Sequence, residues 1–509
     1  LPKEHDSYEI LNDVVIGKVE LISDNGGALN VTDMVKHISI YEDIKKPYLT
    51  GYVYIQDAMN ISKHLPITGH ETLLIDFKTP GIENSQYITL EMDVFSVTDR
   101  TRTKNDRAEM YKLNFSSKIR KINEQIRINQ NFKGSCSSVI SRLIENIFPK
   151  DTIFNIEPTQ YDFDFVIPNL KPLDTIEFIS KKAISCTPPH NANFMHYESM
   201  VDGQVFVSLG FLTNNDVVRN YEMRTSGYYG DNLLKQRFNI QDFELVGDFN
   251  RYEDLSNGVY MSTLVTHDIT TKQIKTYRQT GAHHESDTIE EYGILPQKSK
   301  WTSVSVVNMG LDHVGPTYFR PKQMYAYTGD MGAPTSNNPS PTWYYKEDGQ
   351  YFFSDDGKLL DQESVDMIEE GSDITMRENN SVNFNPEDYL LKNRMTSGAL
   401  GNTRINIRVA GDSTLTSGMI VSIKVPSTEP LDKDSTEWWD PYYSGKYMIT
   451  AIRHLIDNIG GGYTSILELS RDSLPNKIPD KKTFDLGEDY NESAWRRVEE
   501  LQQGNLLGI

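Results

Sequence analysis

Cysteine is nearly missing from this 509-residue chain: only Cys136 and Cys186 are present, far apart and without a paired spacing. That spacing argues against a disulfide framework or a zinc site, so two buried, reduced thiols are expected, consistent with folding in a reducing cytosol. Long apolar runs are missing as well. No stretch approaches the ~18 residues of a bilayer span, and no charged-then-apolar leader opens the sequence. Neither a membrane segment nor a signal peptide is therefore expected. Positive charge is scarce: 51 Lys and Arg face 72 Asp and Glu, a net charge of −21. A gripped nucleic acid needs clustered Lys and Arg, so that class of ligand is excluded. The acidic excess serves solubility, or a surface that repels a polyanion passing close by.

Reaction chemistry is the fourth absence. There is no HExxH, GxSxG, P-loop or helix-opening GxGxxG, the patterns that place metal ligands, nucleophiles and phosphate cradles. His283 and His284 with Glu285 and Asp287 form the most metal-like cluster. Adjacent histidines point apart on a strand and chelate poorly on a helix, so an exposed loop is expected. His5 beside Asp6, and His190, are isolated. The acidic pairs Asp355-Asp356 and Glu369-Glu370 would need a cleft that sets two carboxylates roughly 5–9.5 Å apart; solvated loops account for them. Ser413 in "GDST" and Ser417 follow turn glycines without a histidine partner and read as turn residues. No catalytic residue, cofactor or metal ligand is assigned.

What is present is β patterning. "ISIYEDI" (38–44), "LTGYVYIQDA" (49–58), "ETLLIDFKT" (71–79), "YITLEMDVFSVTD" (87–99) and "MYKLNFSSK" (110–118) are short runs rich in β-branched and aromatic residues. Turn residues separate them at 45–47, 66–69 and 80–81. Within 51–77 Val53 and Ile55 alternate against Tyr52, Tyr54 and Gln56; Leu73, Ile75 and Phe77 alternate against Leu74 and Asp76. Such spacing predicts a small antiparallel barrel or sandwich over 8–125.

Residues 126–235 change texture. "SSVISRLIENIF" (137–148) places Val139, Ile140, Leu143, Ile144 and Ile147 on one helical stripe with Ser137 or Ser138 as the cap. A second helix starts at Pro172, and strands resume at 193–199 and 204–211. A second β region is split between 236–279 and 396–475, where Ile405, Ile407 and Val409, then Ile420, Val421 and Ile423, then Ile466, Leu467 and Leu469 mark strands. Gly411-Asp412 and Gly460-Gly461-Gly462 mark turns. Residues 280–395 read as an inserted excursion, and 476–509 as a polar tail. The expected fold is mainly β with α+β parts: two homologous small antiparallel barrels, a mixed α+β domain and an insertion. The aromatic run "EWWDPYY" (437–443) supplies Trp438, Trp439, Tyr442 and Tyr443, rigid rings suited to anchoring a partner.

These pieces resemble one family. "GDSTLTSGMIVSI" (411–423), "GKYMITAIRHLI" (445–456) and "TSILEL" (464–469) resemble the closing strands of the central hub protein of contractile phage tail baseplates, related to type VI secretion spike hubs. Residues 38–77 resemble that family's first tube-like barrel, 167–183 its helical middle domain, and 254–272 the opening of its second barrel. The resemblance implies a structural, non-enzymatic homotrimer in which three chains with two barrels each form six around one axis. Such a ring joins a six-fold tail tube protein to a three-fold central spike protein, among surrounding baseplate proteins. DNA passes through its lumen without specific binding, and nothing is embedded in a membrane. The location implied is the virion tail, after assembly in the host cytoplasm. Tube contact is expected near Glu42, Asp43 and Asp57, and spike or subunit contact near Trp438, Trp439, Tyr442, Tyr443 and Trp495. The alternatives are a cell-wall-degrading enzyme or a receptor-binding module on a β scaffold.

Overall fold

A computed structural model of the chain describes residues 12–471, apart from 25, 62–66, 83–85, 103–107, 150–151, 188–190, 225–235, 249–260, 269–272, 281–316, 322–389, 428–438, 441, 459–461 and scattered positions between 391 and 402. The first β unit consists of β1 (Val15–Ile22), β2 (Ala28–Asn30), β3 (Val35–Asp43), β4 (Thr50–Asp57), β5 (Thr72–Lys78), β6 (Ile88–Arg102) and β7 (Glu109–Ser117). Strict alternation forms it. Along β5 Leu73, Ile75 and Phe77 are fully buried while Leu74 and Asp76 on the other face are partly exposed. Each such side chain contributes about 1.5–3 kcal/mol on burial. At Gly51 on β4 an added Cβ would lie 2.4 Å from the Phe115 ring and 2.3 Å from the Ser39 carbonyl oxygen. Only glycine lets the strands close over that ring.

The middle of the chain holds helices α1 (Lys118–Gln125), α2 (Cys136–Ile147), α3 (Pro172–Ser180) and α4 (Leu209–Thr213). Between and after them run β8 (Asn131–Ser135), β9 (Phe154–Ile156), β10 (Asp162–Val166), β11 (Phe194–Ser199) and β12 (Gly203–Ser208). Val139, Ile140, Leu143 and Ile144 of α2 pack with Leu173, Ile176 and Ile179 of α3 in one core. The cap of α2 is Ser135, whose hydroxyl accepts from Ser138 N at 3.3 Å, rather than Ser137 or Ser138. The reason is that the helix begins two residues earlier, with Cys136 turned into the core.

The second β unit comprises β13 (Val217–Glu222), β14 (Asp242–Asp248), β18 (Thr403–Ala410), β19 (Ile420–Lys424), β20 (Gly445–Asp457) and β21 (Gly462–Arg471). It begins at β13, earlier than the sequence suggested, because β13 pairs parallel with β19. Conversely β15 (Met261–Asp268) and β16 (Gln273–Thr280) form a separate sheet with β17 (Thr317–Pro321), which lies inside the stretch read as an insertion.

The two units share one topology. In the first the strand order is β3-β4-β7-β6-β5-β1; in the second it is β14-β18-β21-β20-β19-β13. Matched strands also follow the same order along the chain. One irregularity coincides: the bulge between Val94 and Ser96 in β6 corresponds to one between Ile449 and Ala451 in β20. The shifts between Thr98 and Thr101 in β6 and between Leu245 and Gly247 in β14 have no counterpart at the matching positions of β20 and β3. A difference remains at the end of the order, where β1 pairs antiparallel with β5 but β13 pairs parallel with β19. The units are not separate sheets. β20 pairs antiparallel with β3, so one 13-stranded sheet runs through both.

Candidate functional site

The seam between the units is the most elaborate polar feature of the described chain. Seven residue pairs join β3 to β20, from Asp43 opposite Ala451 to His37 opposite Asp457. Ile456 and Tyr463 of the second unit complete the apolar core of the first. His454, fully buried, places Nδ1 2.6 Å from the Tyr463 hydroxyl. Burial lowers its pKa to about 3, so the ring stays neutral across the physiological range. On the opposite face Arg453 donates from Nε to Ser39 Oγ (3.0 Å) and from Nη2 to the Tyr52 hydroxyl (3.2 Å). Its guanidinium also lies 5.4 Å from the Tyr41 ring centre.

Glu42 ties three parts of the chain together. Its Oε1 accepts from Met200 N of the middle region at 2.8 Å, and its Oε2 from Ser417 N of the second unit at 3.0 Å. Burial raises its pKa to about 7, against the opposing pull of those two N–H groups. Thr79 and Ser413 add a reciprocal pair: Ser413 N donates to Thr79 Oγ1 at 3.0 Å, and Thr79 N donates to Ser413 Oγ at 3.3 Å. Glu198 on β11 accepts from Leu49 N at 2.7 Å, and burial raises its pKa. Arg219 reaches Asp412 Oδ2 and Thr414 Oγ1, both at 3.0 Å. Gly411 N donates to the Tyr463 carbonyl at 2.8 Å, and a Cβ there would sit 2.0 Å from the Tyr463 ring.

These contacts tie backbone N–H groups to buried side chains, and side chains to one another. Ser413 and Ser417, turn residues by sequence, are buried in the seam. Among the described residues no group of three His, Cys, Asp or Glu could hold a metal ion, and no helix is long and apolar enough to cross a membrane.

Glu42 and Asp57, near which tube contact was expected, are themselves buried, at 2% and 3% exposure. Asp57 caps its own turn, accepting from Met59 N at 2.9 Å and Ile61 N at 2.7 Å. Both lie on alternation phases that point inward, and their charges are met by backbone N–H groups rather than solvent. Asp43 is partly exposed and closes the turn after β3 through Lys45 N (2.9 Å). Trp439 is partly exposed, with Lys424 Nζ 5.6 Å from its ring. Tyr442 N and Tyr443 N both donate to Asp440 Oδ1, at 2.7 and 2.8 Å. Tyr442 and Tyr443 share one turn, Trp439 bridges to Pro426 just before it, and Asp43 stands on the seam strand. Trp438, Trp495, His5, His190, the His283-His284 cluster and the acidic pairs at 355–356 and 369–370 lie outside the described residues. Sequence reading missed His454, Arg453, Thr79 and Gly411 as seam residues. A histidine and an arginine inside the apolar strand "GKYMITAIRHLI" were the available signal.

No family model matches the chain. It is 22% identical over 276 residues to the "Probable baseplate hub protein gp334" of Vibrio phage KVP40, an alignment covering 53% of this chain and 63% of that protein. Over that stretch the chain is similar to a protein described as a probable baseplate hub. Among solved structures, the tail protein of Neisseria meningitidis MC58 aligns at 8% identity and a TM-score of 0.48, over 91% of this chain and 98% of that one. The 43 kDa tail protein of prophage MuSo2 from Shewanella oneidensis aligns at 9% identity and a TM-score of 0.46, over 89% and 98%. The hub-family resemblance carried by residues 38–77, 167–183, 254–272 and 411–469 thus meets a curated relative of that description. The chain spans less than two thirds of the length of that relative.

Proposed function

We propose that this chain is a structural hub of a phage tail baseplate, without an enzymatic activity of its own. Three copies form a ring around the tail axis, with one face on the six-fold tail tube and the other on the three-fold spike. The observation that carries the reading is the duplication: two units of one strand order, already joined side by side in a single chain. A chain that contains two equivalent units supplies six positions with three copies, which is what a junction between six-fold and three-fold partners requires. The seam suits a load-bearing role, because its buried carboxylates and amides fix the two units at one angle. The net charge of −21 per chain suits a lumen that repels the phosphates of passing DNA over about 8 Å at physiological salt.

Electron microscopy of the purified full chain, alone and mixed with the tail tube and spike proteins of the same phage, tests the proposal. Rings of three-fold symmetry with a central hole that bind tube on one face and spike on the other are expected. A chain that forms neither rings nor a complex with either protein, or that clears peptidoglycan in a zymogram, overturns it.

A further inference from the structure

The middle region is tied to the first unit by carboxyl groups that reach across the joint in both directions. Glu42 of β3 accepts from Met200 N of the β11–β12 turn at 2.8 Å. In return Glu198 of β11 accepts from Leu49 N, at the end of the β3–β4 turn, at 2.7 Å. Gln204 of β12 adds a third bond, from Nε2 to the Pro47 carbonyl at 3.2 Å. Among the described residues no lysine, arginine or histidine forms an ion pair with Glu42 or Glu198. Backbone N–H groups, not cations, meet their charge.

The surroundings make ionisation there costly. The titratable groups facing Glu42 are Asp202 of the β11–β12 turn, Tyr197 of β11 and Tyr463 of β21, none of them a cation. Asp202 pushes the Glu42 pKa further up. Glu198 shares its strand face with His196, whose pKa burial lowers to about 4, so that ring is neutral above that pH. On the β3–β4 turn Lys45 and Lys46 are exposed, and Lys46 lies 3.7 Å from Asp43. An apolar cluster of Tyr197, Val205 and Val207 with Ile44, Ile420 and Met448 holds the hairpin to both units whatever the pH.

We propose that this joint is a pH-released latch: as pH rises from 5 to 8 the β11–β12 hairpin lets go of the β3–β4 turn while β3 and β20 stay paired. The latch acts within one chain and does not depend on the hub reading. With the joint closed Glu42 titrates at about 7; released into water it returns to its ordinary 4.5. Below 4.5 both forms hold the proton, and the apolar contacts keep the joint shut. Between 4.5 and 7 the released form loses its proton first, so rising pH favours release; above 7 both forms are ionised and the bias is at its full value. Linkage at Glu42 alone raises the open-to-closed ratio about 70-fold from pH 5 to pH 8. Glu198, whose pKa burial also raises, adds to it.

Native-state hydrogen exchange of the full chain, corrected for the intrinsic rate at each pH, tests the latch. The amides of Met200 and Leu49, which cross the joint from opposite sides, are expected to show one common protection factor. That factor is expected to lie well below those of the β3–β20 ladder at every pH, and to fall at least about 70-fold between pH 5 and pH 8. Protection equal to that of the ladder overturns release, because the joint then opens only when the whole chain unfolds. Protection that does not change with pH overturns the role of the carboxyls. Unequal protection of Met200 and Leu49 means separate fraying and overturns a single joint. In a second arm Glu42→Gln is expected to remove the 70-fold factor and to leave the smaller slope of Glu198, which Glu198→Gln removes in turn. An unchanged slope in Glu42→Gln overturns the latch. Should either variant fail to fold, the wild-type exchange decides by itself.

Discussion

Replacing Glu42 by glutamine isolates an ionisable group that touches all three parts of the chain. In the folded protein its carboxyl titrates at about 7; its ordinary value is 4.5. Below 4.5 the group is protonated in both states and the folded form bears no charging cost. As pH rises from 4.5 to 7 the unfolded chain loses its proton first, so the folded state holds the extra proton and stability falls with pH. Above 7 both states are ionised and the full cost is present. The gap between the two values corresponds to about 3 kcal/mol at ~1.36 kcal/mol per pH unit. Glutamine keeps an acceptor for one of the two N–H groups of Met200 and Ser417 and cannot ionise. Urea unfolding of wild type and Glu42→Gln at pH 5 and pH 8, followed by tyrosine and tryptophan fluorescence, reads the effect. The difference in stability between the two proteins is expected to move by about 2.5 kcal/mol in favour of the variant between those pH values, since part of the cost is already present at pH 5. Glu157 and Glu198, whose pKa values burial also raises, slope the same way but cancel in the difference. A difference that does not change with pH refutes the assignment of Glu42 as a buried, costly carboxylate.

Two further outcomes are expected. Gly411→Ala drives a Cβ to within 2.0 Å of the Tyr463 ring and is expected to destabilise the second unit by about 1–3 kcal/mol, the cost of overpacking, measured as a lowered urea midpoint. Burial pushes the thiols of Cys136 and Cys186 up to about 12; both are expected to react with a thiol reagent only as fast as the chain opens, and rapid labelling of the native protein would contradict their burial.

How far the sequence reached depends on how local the signal was. β4 and β5 were legible because their period of two is set by each residue's own polarity, and Val53, Ile55, Leu73, Ile75 and Phe77 are buried as their phase requires. α2 was legible from its apolar stripe, and β18 to β21 from theirs. β1 was passed over, since a bulge between Ile16 and Lys18 interrupts its pattern. The short β8, β9 and β10 give too few residues for any period to register. Nothing local marks Glu42 and Asp57 as buried, since carboxylates seldom are. Their burial is sustained by backbone N–H groups donated from residues that only the fold brings near.

By itself the sequence determined the β character of both ends, the helices between them and the absence of catalytic or metal patterns, since each of these follows from composition or from neighbours along the chain. Tertiary structure alone decided that the two β regions share one strand order and meet at β3 and β20. The partners in that pairing stand about four hundred residues apart, His37 opposite Asp457 and Asp43 opposite Ala451, and a hydrogen-bond ladder between such strands leaves no periodicity in either one.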